Sequence, residues 1–160
     1  MSTPSSFNLR PAQAQDDVIV ADFFRLMWQD YDMDKILSER WREETLEFIA
    51  DAREKHQYAA FIAEKNGQPI GTAACQLFYG PYPMVFQKDK RQYGYIWGVY
   101  VTPEERGKGI ARTLTQACTD YLRDIACTKV VLHASPMGKP VYEKLGFVPS
   151  NEMILDFSKA

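Results

Sequence analysis

Between Tyr95 and Ile125 the sequence couples a buried-strand pattern to an amphipathic helix through a loop holding two glycines. Tyr95–Val101 is apolar, β-branched and aromatic, as a strand covered on both faces must be. After Thr102-Pro103, the residues Ile110, Leu114, Ala117, Cys118, Tyr121, Leu122 and Ile125 recur at helical spacing and form one apolar stripe. A strand that feeds directly into a helix with one face to bury requires a layered sheet-and-helix domain. The link, Arg106-Gly107-Lys108-Gly109-Ile110-Ala111-Arg112, has the makings of an anion site. Two glycines let the backbone turn so that N–H groups converge, and the helix start adds unpaired donors and a positive dipole end. Arg106, Lys108 and Arg112 place charge around it, and a pyrophosphate is its natural occupant.

The remaining elements fit the same architecture. Phe7–Arg10 predicts a short strand, and a helix begins near Asp17 with Phe23, Phe24, Met27, Trp28 and Tyr31 along it. A second helix is expected from about Asp34, with Leu37, Trp41, Phe48, Ile49 and Ala52 on one face. Strands over 58–64 and 70–78 flank Asn66-Gly67, a strong hairpin signal. Residues 79–93, with Gly80, Pro81 and Pro83, read as a loop. A strand over 130–134, a short helix over 138–145, and terminal strands at Phe147 and 153–157 complete an α/β chain of the α+β type. No repeat or linker divides it, so residues 1–160 read as one domain.

Composition narrows the function. The chain has 160 residues, 46% of them apolar and 25% charged, and a formal net charge of −2. No basic field argues for nucleic acid, and no apolar run reaches the roughly 20 residues that span a bilayer. Three cysteines without metal-type spacing, and no secretory signal over residues 1–6, predict a reduced, cytoplasmic protein with no metal. The string G-x-x-x-x-G-K-[ST] of the nucleotide triphosphatase loop is absent, and Arg112 stands where a dinucleotide fingerprint needs its third glycine.

Arg106-x-x-Gly109-x-Ala111 resembles the [QR]-x-x-G-x-[GA] motif of the GNAT (Gcn5-related N-acetyltransferase) superfamily, and it lies between a strand and its following helix as in that family. Tyr142-Glu143-Lys144-Leu145-Gly146-Phe147 is similar to the family's Y-x-x-x-G-F segment. The resemblance covers most of the chain. It implies a mixed, mostly antiparallel sheet of about seven strands, flanked by helices and splayed at its centre. It also implies acetyl-CoA as the acyl donor, CoA as product and an amine as acceptor, and the aromatic pocket candidates below suit a small-molecule amine better than a peptide. A homodimer stays open.

The resemblance further implies site roles. Val99, Tyr100 and Val101 would pair their backbone with the pantetheine arm, and a backbone N–H near Val99 would meet the oxyanion. Residues Arg106, Gly107, Lys108, Gly109, Ile110, Ala111 and Arg112 would wrap the pyrophosphate. Tyr142 would protonate the departing sulfur. Ser135 stands where members often carry an Asn that holds pantetheine, and Gly138 stands where Ala is common. Gly98 marks either the bulge that opens the thioester slot or a small residue in a crowded core. No carboxylate lies within 95–101, so the general base is left among His133, Asp30, Asp32 and Glu39, or none at all. A lone strand histidine such as His133 is more often structural.

On the acceptor side, Trp28, Tyr31, Tyr79 and Tyr82 are the pocket candidates, with Trp41 and Phe86 beside them. The first helices are acidic, with nine acidic and four basic residues between Trp28 and Glu54, which suits either a cationic amine or a solvated surface. Two alternatives stand beside an acetyltransferase: a non-catalytic acyl-CoA-binding domain and a transferase for longer acyl-CoA. An acid at Tyr142 has no use in a pure binder.

Overall fold

The computed structural model describes residues 6–158, apart from the side chains of residues 82 and 83. Its sheet runs β1 (Asn8–Pro11), β2 (Ala59–Lys65), β3 (Gln68–Leu77), β4 (Tyr93–Val101) and β5 (Lys129–Val131), in that spatial order. The first three joints are antiparallel and β4–β5 is parallel. Helices α1 (Asp17–Asp30) and α2 (Trp41–Lys55) precede β2. A short α3 (Pro81–Met84) interrupts the expected loop, α4 (Ile110–Asp124) joins β4 to β5, and α5 (Lys139–Lys144) follows β5. Asn66 and Gly67, with φ of 52° and 75°, make the two-residue turn of the β2–β3 hairpin.

Each face of the sheet is covered, which explains why β3 is apolar without a polar alternation. The stripe of α4 puts Ile110, Leu114, Cys118 and Leu122 against Ala63, Ala73, Cys75, Ile96 and Val101. On the opposite face Val20 of α1 and Ile49 and Ala52 of α2 close over Tyr58, Ala60 and Ala74. Burying each large aliphatic side chain of this kind contributes about 1.5–3 kcal/mol. Arg10 ties β1 into the domain, meeting Glu64 Oε1 at 2.8 Å and Asp16 Oδ2 at 2.7 Å.

One irregularity in the sheet positions everything that follows. Thr72 pairs with Tyr100 and Ala74 with Trp97, so Gly98 and Val99 together oppose the single residue Ala73. That is a β-bulge, and Gly98 adopts φ +64°. A Cβ at Gly98 would find its nearest neighbour, Phe24 Cδ2, at an ordinary 3.6 Å. The backbone angle, not crowding, therefore selects glycine here.

Several expected boundaries move. The second helix starts at Trp41 rather than near Asp34: residues 34–36 form a separate 3-10 turn, and Leu37 is extended with ψ 141°. Ser38 Oγ then accepts the Arg40 N–H at 3.1 Å, which turns the chain into α2. The strand expected over 130–134 ends at Val131. No strand forms at Phe147 or over 153–157, so the described sheet has five strands rather than about seven. A strand exists only through a paired neighbour, and β5 is three residues long. Met153, Ile154, Leu155 and Phe157 accordingly lie exposed.

Candidate active site

β4 and β5 pair only where Tyr93, Gly94 and Tyr95 face Lys129, Val130 and Val131. Beyond Tyr95 the strands part, and among the described residues β4 has no partner on that side through its bulge. Two cavities open into the gap, of about 720 and 600 Å³. They share Met27, Tyr31, Val99, Ser135 and Tyr142, so those residues form a junction between a polar cleft and an apolar one.

The polar cleft is lined by Val99, Tyr100, Val101, Arg106, Gly107, Gly109, Ile110, Ala111 and Arg112. Gly107 and Gly109 hold φ of 77° and 81°, and a Cβ on either would meet nothing within 4 Å. The space above this loop is therefore open. No side chain caps α4, which leaves the first-turn N–H groups facing that space. These features fit a diphosphate: converging donors, a helix dipole, room for close approach and the Arg112 cation. Arg106 is less free than its position suggested. Its Nε donates to Val101 O at 2.9 Å, its guanidinium pairs with Asp30 Oδ2 at 2.6 Å, and it stacks over the Tyr100 ring at 5.4 Å. It braces the loop onto β4 and α1 as much as it charges the rim. Lys108 does not line the cleft, contrary to expectation, because Glu105 Oε2 holds its Nζ at 2.8 Å.

At the junction stands Tyr142, on α5. Its ring is buried, packing edge-on against Phe147 with 5.9 Å between centroids. Burial, the dominant cause, pushes the phenol up to about 12, so it keeps its proton at neutral pH. Its hydroxyl has no hydrogen-bond partner among the described residues, and Tyr142 lines both cavities. Ser135 Oγ accepts the Gly138 N–H at 3.0 Å, leaving its own O–H for the cleft. Gly138 is needed because a Cβ there would lie 2.9 Å from Tyr142 Cε2.

The apolar cavity is walled by Phe24, Met27, Trp28, Tyr31, Leu37, Trp41, Phe48, Trp97 and Leu132, with Tyr95 and His133 at its sheet side. Trp97 is the hub: Phe24 and Phe48 pack edge-on against it at 5.0 and 5.6 Å, and its Nε1 donates to Gln76 Oε1 at 3.0 Å. Among the described residues, Arg25 and Glu44 are the only lining residues with full formal charge, and Arg25 stacks over Trp41 at 5.3 Å.

Comparison with known proteins decides what this arrangement belongs to. The sequence profile described as the acetyltransferase (GNAT) family matches residues 20–147. This chain belongs to the GNAT family. It is 32% identical to glucosamine 6-phosphate N-acetyltransferase of Trypanosoma brucei brucei over 62% of its own length and 65% of that protein's. Among the curated relatives it matches, the chain spans between 38% and 65% of their lengths. A predicted acetyltransferase of Clostridium acetobutylicum, solved with acetyl-CoA, superposes with a TM-score of 0.80 at 26% identity, covering 97% of this chain and 99% of that one. A GCN5-related N-acetyltransferase of Ralstonia eutropha JMP134 shares the fold at a TM-score of 0.78 and 23% identity, covering 96% and 99% of the two chains.

Seen as a GNAT domain, the site departs from the sequence reading in several places. Trp28 and Tyr31 line the apolar cavity. Tyr79 does not: it is 78% exposed and stacks on His56 at 5.8 Å, because the Phe78–Tyr93 end of the β3–β4 connection leads it toward the C-terminus of α2. Phe86 lines neither cavity, and the Tyr82 side chain lies outside the described residues. Of the base candidates, Asp30 is engaged by Arg106, and Asp32 and Glu39 line neither cavity. Phe24, Phe48, Trp97 and Glu44 were not foreseen as site residues. One usable signal was the alternation of β4 ahead of its bulge, which puts Tyr95 and Trp97 on one face.

Proposed function

We propose that this protein transfers an acetyl group from acetyl-CoA to the primary amine of a small molecule with an apolar, ring-sized body. The observation that carries this reading is the meeting of an anion-binding cleft and an aromatic cavity at the Tyr142 hydroxyl, beside the bulge of β4. Acetyl-CoA supplies the activated acetyl group. Gly107, Gly109 and the first turn of α4 would hold its pyrophosphate, with Arg112 alongside, while the unpaired edge of β4 at Val99–Val101 and the Ser135 hydroxyl would hold its pantetheine arm. A backbone N–H near Val99 faces the developing oxyanion. Tyr142, protonated at working pH, donates to the departing sulfur. Holding both reactants at one junction supplies much of the acceleration.

The acceptor side supports an apolar body because its walls are rich in aromatic and aliphatic side chains. Glu44 offers a cationic amine a carboxylate, whereas the one lining cation, Arg25, is committed to stacking on Trp41. This wall chemistry disfavours a sugar phosphate, although one relative is a glucosamine 6-phosphate N-acetyltransferase. The same apolar walls, continuous with Gly98 and Val99, also favour a second reading in which a longer acyl chain enters the cavity.

Calorimetric titration with acetyl-CoA, followed by thiol release with phenethylamine or glucosamine 6-phosphate as acceptor, tests the proposal. Binding of acetyl-CoA and turnover of phenethylamine alone are expected. Preference for the sugar phosphate would overturn the acceptor class, and tighter binding of a medium-chain acyl-CoA would favour the second reading. Failure to bind any acyl-CoA would remove the function.

A further inference from the structure

β4 carries no carboxylate, yet an amine must shed a proton before it can attack. The aromatic cavity contains a three-residue hydrogen-bonded chain that ends outside it. Tyr95, half-buried on β4, places its hydroxyl 3.0 Å from His133 Nδ1. On the far side of the same ring, His133 Nε2 lies 3.0 and 3.2 Å from the two carboxylate oxygens of Glu152. Tyr95 and His133 line the cavity, while the side chains of His133 and Glu152 are 64% and 59% exposed.

We propose that Tyr95, His133 and Glu152 form a proton relay that serves as the general base of this site. It rests on the acetyl-transfer reading above. The two hydrogen bonds fix the tautomer the relay needs. A carboxylate can only accept, so Nε2 carries the proton toward Glu152, and Nδ1 keeps the lone pair that accepts from Tyr95. Tyr95 does not act as a phenolate: burial, with Glu152 second, raises its phenol above the ordinary value. It passes a proton instead. The ammonium N–H bond breaks and a Tyr95 O–H bond forms, while the original Tyr95 proton moves to His133 Nδ1.

Tyr95 precedes Val99 by four residues, roughly 13 Å along a strand. The transfer therefore runs through a short file of waters in the cavity rather than by direct contact. The resulting imidazolium is paired with Glu152 and open to solvent, which takes the proton away. The second proton, released by nitrogen as the C–S bond breaks, restores the one Tyr142 gives to sulfur. The fully charged residues elsewhere in the cavity, Arg25 and Glu44, come from α1 and α2 and, among the described residues, make no hydrogen bond or ion pair with the relay.

A purely structural role, tying the segment after α5 to the end of β5, predicts different behaviour. The test compares phenethylamine, cationic at neutral pH, with its β,β-difluoro analogue, whose amine is largely neutral already. In His133→Gln and Tyr95→Phe, turnover of phenethylamine should fall about a hundredfold, and turnover of the difluoro amine far less. Equal losses for both amines, or no loss for either, would overturn the relay. If the wild-type protein acetylates neither amine, the acceptor reading fails separately, and the imidazole still decides the relay. Nitrogen-edited NMR should place the neutral His133 proton on Nε2, with the bias lost in Glu152→Ala. A proton on Nδ1 in the wild-type protein would refute it.

Discussion

Gly109→Ala and Gly67→Ala form a matched pair, because both glycines hold a positive φ, 81° and 75°, and neither would place a Cβ within 4 Å of any atom. The folding strain of each substitution is thus purely conformational, about 1–2 kcal/mol for an alanine in the left-handed region. For a chain of this size that lowers Tm by about 2–8 °C, and by a similar amount in both variants. Their positions differ: Gly67 turns a hairpin, whereas Gly109 is the N-cap of α4 in the polar cleft. Only at Gly109 would the added methyl occupy the space through which a phosphate oxygen approaches the backbone. Losing one charge-assisted hydrogen bond costs about 1.5–3 kcal/mol. The acetyl-CoA Kd should therefore rise roughly 10- to 150-fold in Gly109→Ala and stay unchanged in Gly67→Ala. Calorimetry gives the affinities and thermal melts give the strain. A Gly109→Ala protein with lowered Tm and unaltered Kd would refute the phosphate loop. Unaltered Tm in both would refute the strain argument.

Tyr142→Phe keeps the ring packed on Phe147 and removes a hydroxyl that no described residue holds, so Tm should stay near the wild-type value while kcat falls about a hundredfold; full kcat would remove Tyr142 as the acid. Because burial raises the Tyr142 phenol to about 12 and also raises Tyr58, Tyr95 and Cys118, the folded state retains protons that the unfolded chain gives up. Stability is then fully present below the ordinary thiol and phenol values and is lost as pH climbs past about 9–10. Circular-dichroism melts should show this, and a flat Tm up to about pH 11 would contradict it.

What the sequence determined by itself was local. The coupling of 95–101 to the stripe of α4, the hairpin at Asn66-Gly67, the glycine loop and the Tyr142 segment were all legible, because each depends on residues close together in the chain. A positive φ calls for glycine, and an apolar stripe calls for a cover, whatever the rest of the chain does. Gly98 was half legible: its presence in a strand announced an irregularity, but only the register against Ala73 separated a bulge from a crowded core.

The acceptor side belonged to the tertiary structure. Its walls come from α1, α2, β4 and residues 132–136, and nothing in a helix periodicity says which aromatic closes a core and which lines a cavity. Lys108 and Tyr79 could be placed only by their partners, Glu105 and His56. His133 read as a solitary strand histidine because its partners lie 38 residues before it and 19 after it. Side chains that distant meet only once the sheet has splayed and the chain beyond α5 has turned back along β5. Short-range backbone demands are written in neighbouring residues, whereas long-range contacts depend on how the layers pack.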